Sequence, residues 1–241
     1  MRDYTIIIPS CTGSNLRVCL EAIKTHQSGA LTSVLVYDTD VTGEVEAVCT
    51  NYHITHVPGD LPFIFSRAIN TCVELCPHND VILLNDDATL RTPDGFNTLH
   101  RMCNLDTVGI VSAGIHGFVG NPEQSIRYDL SASTVREIYK SRTVVFICVH
   151  ILHEVLRKIG PMDERLTYYG WDDDLYCLQA RAAGYALGVY DGCVVEHGTL
   201  PSTYRKPGAM PDLDLNQRIF ESIVREKGLA KWWPVPFKFP A

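Results

Sequence analysis

The 241-residue chain lacks a CxxC pair, and its nine cysteines, an odd number, are scattered. Neither a disulfide framework nor a zinc knuckle is suggested, and the cysteines read as small buried hydrophobes in a reducing compartment. No stretch approaches the roughly 20 apolar residues of a membrane span. The opening "MRDYTIIIPS" sets four residues before an apolar run that Pro9 cuts, so it does not serve as a signal peptide. A soluble, cytoplasmic chain is predicted. Basic charge is short as well: 28 acidic against 21 basic residues, a formal charge of −7, give no electrostatic reason for tight nucleic-acid binding. A neutral or cation-bridged ligand fits better. Internal repeats and low-complexity segments are absent. With 46% apolar residues over this length, one large α/β domain with a sizeable core is predicted.

What is present alternates. Residues 4–8 ("YTIII") and 33–37 ("SVLVY") are short β-branched runs bounded by polar or turn residues, as buried strands are. Between them Leu16, Cys19, Leu20 and Ile23 recur at helical spacing. A third strand is predicted at 53–57. Phe65, Ile69, Cys72 and Cys76 then follow i, i+4, i+7, i+11 and predict an amphipathic helix leading into a strand at 81–85. Strands alternating with helices imply a mostly parallel sheet flanked by helices on both faces. In the second half, strands are predicted at 108–113, 143–149, 186–190 and 193–196, and helices at 150–160, 172–183 and 213–227. His150 and His153 in "HILHE" have i, i+3 spacing. Ile151, Leu152, Val155 and Leu156 around them predict an ordinary packed helix instead of a metal pair, with no third ligand implied.

Carboxylates gather where such a sheet binds ligands, beyond the carboxyl ends of its strands. Asp38 follows the second strand, and Asn85, Asp86 and Asp87 follow the strand that begins at 81. Adjacent acids repel by roughly 1 kcal/mol or more even in water, so a hard divalent ion, Mg²⁺ or Mn²⁺, is a natural companion. An Asx turn capping the next element is the competing reading. His197 ends the last predicted strand, and a neutral imidazole there can ligate an ion. In "WDDDL", a helical stripe of Trp171, Leu175, Leu178 and Ala182 puts Asp173 opposite it in solvent, with Asp172 and Asp174 on its flanks. All three acids also suit a helix N-terminus, where the dipole lowers a carboxylate pKa.

Taken in order, "TIIIPSCTGSNLRVCLEAI", "VLVYDTD", "LLNDDATL", "LRKIGPMDERLTYYGWDDDLYCLQARAAGY" and "VVEHG" resemble the segments of family 2 glycosyltransferases, rhamnosyltransferase-like, which have the GT-A fold. The resemblance runs over residues 4–198. It implies a nucleotide diphosphate sugar donor and a carbohydrate or other hydroxyl-bearing acceptor, with inversion at the anomeric carbon. Pro9 and Ser10 would line the donor, Asp38 would read the nucleotide base, and Asn70 would lie near the donor. Asp86 would touch ribose or metal. Asp87, with His197, would hold Mn²⁺ or Mg²⁺. Asp172 takes the place of the catalytic base, with Asp173 in reserve, although Trp171 stands where the family's pattern has its first acid. Cys11, Thr12 and Gly13 replace the usual asparagine-containing loop.

This organisation would divide residues 1–198 into a nucleotide-sugar and metal half, 1–105, and an acceptor half, 106–198. Residues 199–241 would form a lid loop, a helix and a tail folded back on the domain. Two other readings stand beside it. A sugar-phosphate nucleotidyltransferase would want a Gly-rich basic loop after the first strand, where "PSCTGSNLR" has only Gly13 and Arg17. A catalytically silent glycan-binding protein would not require all these acids.

Overall fold

Strands apolar on both faces have to sit inside a sheet covered on both sides, and the chain builds that arrangement. The computed structural model describes residues 3–27, 33–105, 108–126, 138–202 and 212–233. The strands are β1 (Tyr4–Ser10), β2 (Val34–Asp38), β3 (Thr55–Pro58), β4 (Asp80–Leu84), β5 (Ala88–Leu90), β6 (Val108–Gly117), β7 (Ile138–Ser141), β8 (Cys148–Ile151) and β9 (Ala186–His197). The helices are α1 (Gly13–His26), α2 (Glu44–Tyr52), α3 (Phe65–Leu75), α4 (Gly95–Leu105), α5 (His153–Ile159), α6 (Asp172–Ala182) and α7 (Leu213–Glu226). They make a single α/β domain. Short 3-10 turns at Pro122–Gln124 and Ala230–Trp232 complete the regular structure.

The sheet runs β3-β2-β1-β4-β8-β6-β9-β5, with β7 also on β9. Residues alternate between two cores, as a pleated strand requires. Ile6, Ile8, Ile82 and Leu84 pack with Leu16, Leu20, Phe96 and Leu99 on the face carrying α1, α2 and α4. Ile7, Val81 and Leu83 pack with Ile69, Val155 and Tyr176 on the face carrying α3, α5 and α6. A third cluster, Leu175 and Leu178 with Phe220, Ile223 and Val224, joins α6 to α7.

Several expectations need correction. The sheet is mixed, not mostly parallel: β1 pairs β2 and β4 in parallel, but β8 lies antiparallel between β4 and β6, and β5 and β7 run antiparallel to β9. Parallel neighbours need a crossover helix, and β8 is entered from an irregular stretch instead. The strand predicted at 143–149 is confined to Cys148–Ile151, so His150 is on a strand and the helix begins only at His153. Val149, His150 and Ile151 suit either conformation by composition. The two strands predicted at 186–190 and 193–196 are one, β9, whose register against β6 shifts between Ala113 and Gly114. Helices α2 and α4 and strands β5 and β7 were not anticipated. The first of these starts with Gly43 at φ +83° and uses the Asp40 carboxylate to accept from Glu44 N at 2.8 Å.

One glycine fixes the far end of the sheet. Gly117, at φ +103°, pairs with His197, and a Cβ there would collide with the His197 carbonyl oxygen. A positive φ and a backbone clash both oppose any side chain. Gly117→Ala is therefore expected to lower stability by about 2–4 kcal/mol, read from the urea midpoint. An unchanged midpoint would contradict this packing.

Candidate active site

The carboxyl ends of β1, β4 and β9 meet at one cavity of about 540 Å³. Pro9, Asp86, Asp87, Asp172, Asp173 and His197 all line it, together with Phe63, Phe65, Phe118 and Tyr169. Ser10, the last residue of β1, donates from Oγ to Asp86 Oδ2 at 2.6 Å. Chain reversal accounts for the next contact. β4 ends at Leu84, the chain turns through Asn85–Asp87, and β5 pairs antiparallel with β9 so that Ala88 faces His197. Asp87, one residue earlier, thus meets the end of β9, and its Oδ1 lies 3.4 Å from His197 Nε2.

The His197 tautomer follows from its other nitrogen. Nδ1 contacts the Phe118 carbonyl oxygen, which can only accept, so Nδ1 carries the proton. In the neutral ring Nε2 then presents a lone pair toward the Asp87 carboxylate. An imidazole lone pair, a carboxylate oxygen and a carbonyl fixing the far nitrogen form the donor set and outer support of a divalent site. Both ligands suit Mn²⁺ or Mg²⁺, ions that leave their remaining positions to phosphate oxygens and water. The residues fit a metal.

Asp172 stands on another wall. Gly170 (φ +106°) and Trp171 (φ 70°) turn the chain sharply into α6, and Trp171 is held by Phe220 at 4.9 Å and Trp233 at 6.1 Å between ring centroids. That delivers Asp172 to a buried position, where Oδ1 accepts from Ser66 Oγ at 2.6 Å. Its Oδ2 is buried with no hydrogen-bond partner among the described residues. Burial pushes its pKa up to about 7, against the lowering effect of Ser66 and of backbone N–H groups. The lowering expected from the helix dipole is outweighed, because desolvation of a charge is the larger effect here.

Asp173 is not in solvent as the helical stripe implied. It lines the cavity half-buried, with Oδ1 accepting from Asp174 N at 2.9 Å, and burial followed by repulsion from Asp174 and Asp172 pushes its pKa well up. Asp174 accepts from Thr143 Oγ1 at 2.8 Å. Ala182, assigned to the buried stripe, is exposed; the first turn of α6 is buried on more sides than its last.

Three expected site residues lie apart from the cavity lining, Ser10 behind Asp86 and two others further off. Asp38, opposite Ser10 in the β1–β2 register, contacts His56 Nε2 at 2.7 Å and accepts from Asp40 N at 2.6 Å. Asn70 is occupied by the loop before α6: its amide donates to Met162 O at 3.0 Å and Glu164 Oε1 at 2.9 Å, and accepts from Met162 N at 2.9 Å. Of the lid expected at 199–211, Leu200 and Ser202 line the cavity and Pro201 O accepts from Asn15 Nδ2 at 2.7 Å; residues 203–211 lie outside the described residues. The tail from 234 does too, while Trp233 before it folds onto Trp171 and Phe220. Sequence reasoning missed Ser66, 106 residues from Asp172, and the aromatic walls Phe63, Phe65, Phe118 and Tyr169. Only Tyr169 had a signal, its place in "YYGWDDD".

No protein-family model and no curated protein sequence matches the chain. Solved structures do match in shape. GalNAc-T7 with UDP, GalNAc and Mn²⁺ aligns at TM-score 0.71 and 14% identity over 92% of this chain and 48% of that one. Mannosyltransferase PcManGT from Pyrobaculum calidifontis, in complex with GDP-Man and Mn²⁺, aligns at 0.62 and 15% identity over 87% of this chain and 61% of its own. S. aureus TarS 1–349 aligns at 0.58 and 12% identity, over 81% and 60%. The chain thus spans about half to three fifths of these neighbours' lengths, and at such identities the likeness establishes the GT-A glycosyltransferase fold.

Because the folded carboxyl of Asp172 titrates near 7 and an unfolded one near 4, its contribution to stability is full below about pH 4 and is lost as pH rises through about 7. An amide does not titrate. The melting temperature of Asp172→Asn minus that of the wild type should therefore rise between pH 4 and pH 8, by an amount corresponding to a few kcal/mol. A difference that stays flat with pH would show that Asp172 is not held in a dry site.

Proposed function

We propose that this protein is a glycosyltransferase that moves a sugar from a nucleotide diphosphate donor to an acceptor hydroxyl with Mn²⁺ or Mg²⁺, inverting the anomeric carbon, in the manner of family 2 rhamnosyltransferase-like enzymes. One observation carries the reading: a single cavity joins an Asp87–His197 metal pair to Asp172, a carboxylate with a free, buried oxygen and a pKa of about 7. That GalNAc-T7 and PcManGT hold Mn²⁺ with UDP or GDP-Man supports it. Nine free cysteines support a reducing, cytoplasmic setting. No helix among the described residues is long and apolar enough to cross a membrane.

In this mechanism Asp172 Oδ2 takes the acceptor's hydroxyl proton while the acceptor oxygen bonds to the anomeric carbon. The bond from that carbon to the diphosphate oxygen breaks, and its electron pair leaves with the diphosphate. A base of pKa near 7 is matched to a proton transfer at neutral pH. Ser66 holds Oδ1, which leaves Oδ2 to the acceptor. When bound, the divalent ion at Asp87 and His197 offsets the charge developing on the leaving group. Ser10 fixes Asp86 beside the ribose or the metal, and Pro9 borders the donor. Asp38, braced by His56, reads the base from the next strand, and Asn70 acts through the loop it anchors. Residues 1–105 then form the donor half and 106–198 the acceptor half. Asp173 is the reserve base. The acidic balance of the chain disfavours a nucleic-acid acceptor.

Calorimetry with UDP or GDP tests the metal side without knowledge of the sugar. Asp87→Asn is expected to weaken Mn²⁺-dependent binding at least about 10-fold with the fold unchanged. Equal affinities would remove Asp87 from the site. Asp172→Asn should keep that binding yet lower turnover by about 10²–10⁴, and wild-type kcat/KM should rise with pH through about 7 as the base ionises. Retained turnover in Asp172→Asn, with loss in Asp173→Asn, would transfer the role to Asp173.

A further inference from the structure

A second cluster of ligating side chains lies at the other end of β4. We propose that Asp80, His100 and His150 form a structural metal site suited to Zn²⁺, separate from the cavity and fastening α4 to the sheet. Asp80 opens β4, whereas Asp87 follows its last residue, so the strand's length, about 13 Å at 3.3 Å per residue, separates the two. Asp80 and Ile82 point to the same face, His150 on β8 stands opposite Ile82, and α4 lays His100 over both.

Three atoms converge. His100 Nδ1 is 2.9 Å from His150 Nε2, and Asp80 Oδ2 is 3.4 Å from the first and 3.6 Å from the second. Around a tetrahedral Zn²⁺ with bonds of about 2.0–2.1 Å, ligand atoms stand about 3.3 Å apart. The observed triangle needs shifts of only a few tenths of an ångström. Asp80 Oδ1 accepts from His153 N at 2.8 Å, which turns Oδ2 toward the two rings. The Tyr4 ring packs on His100 at 5.0 Å. Asn104, exposed, donates from its amide to Oδ2 at 3.5 Å.

Charge calls for an ion as much as geometry does. All three side chains are buried, Asp80 at 1% and His150 at 0% exposure. Oδ2 has no hydrogen-bond or ion-pair partner closer than 3.4 Å among the described residues. With only Oδ1 closely bonded, the Oδ2 end of this buried carboxylate is weakly compensated for its desolvation. The 2.9 Å contact holds one proton between two ring nitrogens, and an entering ion displaces it. Two imidazoles and one carboxylate suit Zn²⁺, whereas the oxygen-richer cavity suits Mn²⁺ or Mg²⁺. His153, the other half of "HILHE", contributes only its backbone N–H.

The test is metal content of the untagged full chain, produced in Zn²⁺-supplemented medium and desalted, measured by mass spectrometry. The expected result is one Zn²⁺ per chain in the wild type and in Asp87→Asn, falling at least 10-fold in His100→Gln. A wild type without Zn²⁺ would overturn the proposal and leave a hydrogen-bonded Asp–His–His network. So would Zn²⁺ lost from Asp87→Asn but kept in His100→Gln, which would put the ion in the cavity. Should His100→Gln fail to fold, wild type produced with Co²⁺ decides. An intense visible band of tetrahedral Co²⁺ that persists in Asp87→Asn supports the site, and its absence from the wild type refutes it.

Discussion

The antiparallel register of β5 against β9 is the constraint on which the cavity depends. With Ala88 opposite His197, the acidic turn after β4 and the last residue of β9 have to meet, and Asp87 faces an imidazole whose tautomer the Phe118 carbonyl fixes. Gly117 lets the end of β6 run against the His197 backbone without a side chain between them. Shifted by one residue, β5 would turn Ala88 and Leu90 out of the core and carry Asp87 away from His197. Backbone hydrogen bonding thus sets Asp87 beside His197.

Burial sets the chemistry of the opposite wall. Asp172 sits where a helix dipole favours its charge, and burial wins, because the Gly170–Trp171 turn and the aromatic cluster behind it keep the first turn of α6 dry. Ser66 occupies one carboxylate oxygen and leaves the other unpaired among the described residues. Such a group is costly to the fold and useful to a reaction that has to remove a proton near neutral pH. The same strand that carries the acidic turn at its carboxyl end begins with Asp80, so β4 spans two polar clusters across an unbroken apolar run.

Much of this was legible in the residues. β1, β2 and β4 each display a short apolar run, α1 and α3 a helical spacing, and α7 was expected at 213–227; the structure places all six within a few residues of those positions. Pro9, Asp86, Asp87, Asp172, Asp173 and His197 were singled out from strand ends and motif order, and all six line one cavity. Strand direction was not legible, since it depends on connections such as the irregular entry to β8. The three-residue β5 is too short to show a period, so the contact of Asp87 with His197 had motif order but no geometry behind it. Ser66 meets Asp172 across 106 residues, and Asp80, His100 and His150 come from three different elements, two of them misread or unseen in the sequence. His150 sits among Val149, Ile151 and Leu152, neighbours that suit a strand and a helix equally.

The central claim is that this cavity breaks the bond between a sugar and a nucleoside diphosphate with the help of a divalent ion. It is tested most directly by incubating the protein with a panel of nucleotide sugars and candidate hydroxyl acceptors, with and without Mn²⁺, and measuring the phosphate products. The expected result is free nucleoside diphosphate from one donor, dependent on Mn²⁺. Pyrophosphate would instead indicate nucleotidyl transfer, and the absence of any product across the panel would contradict a catalytic cavity.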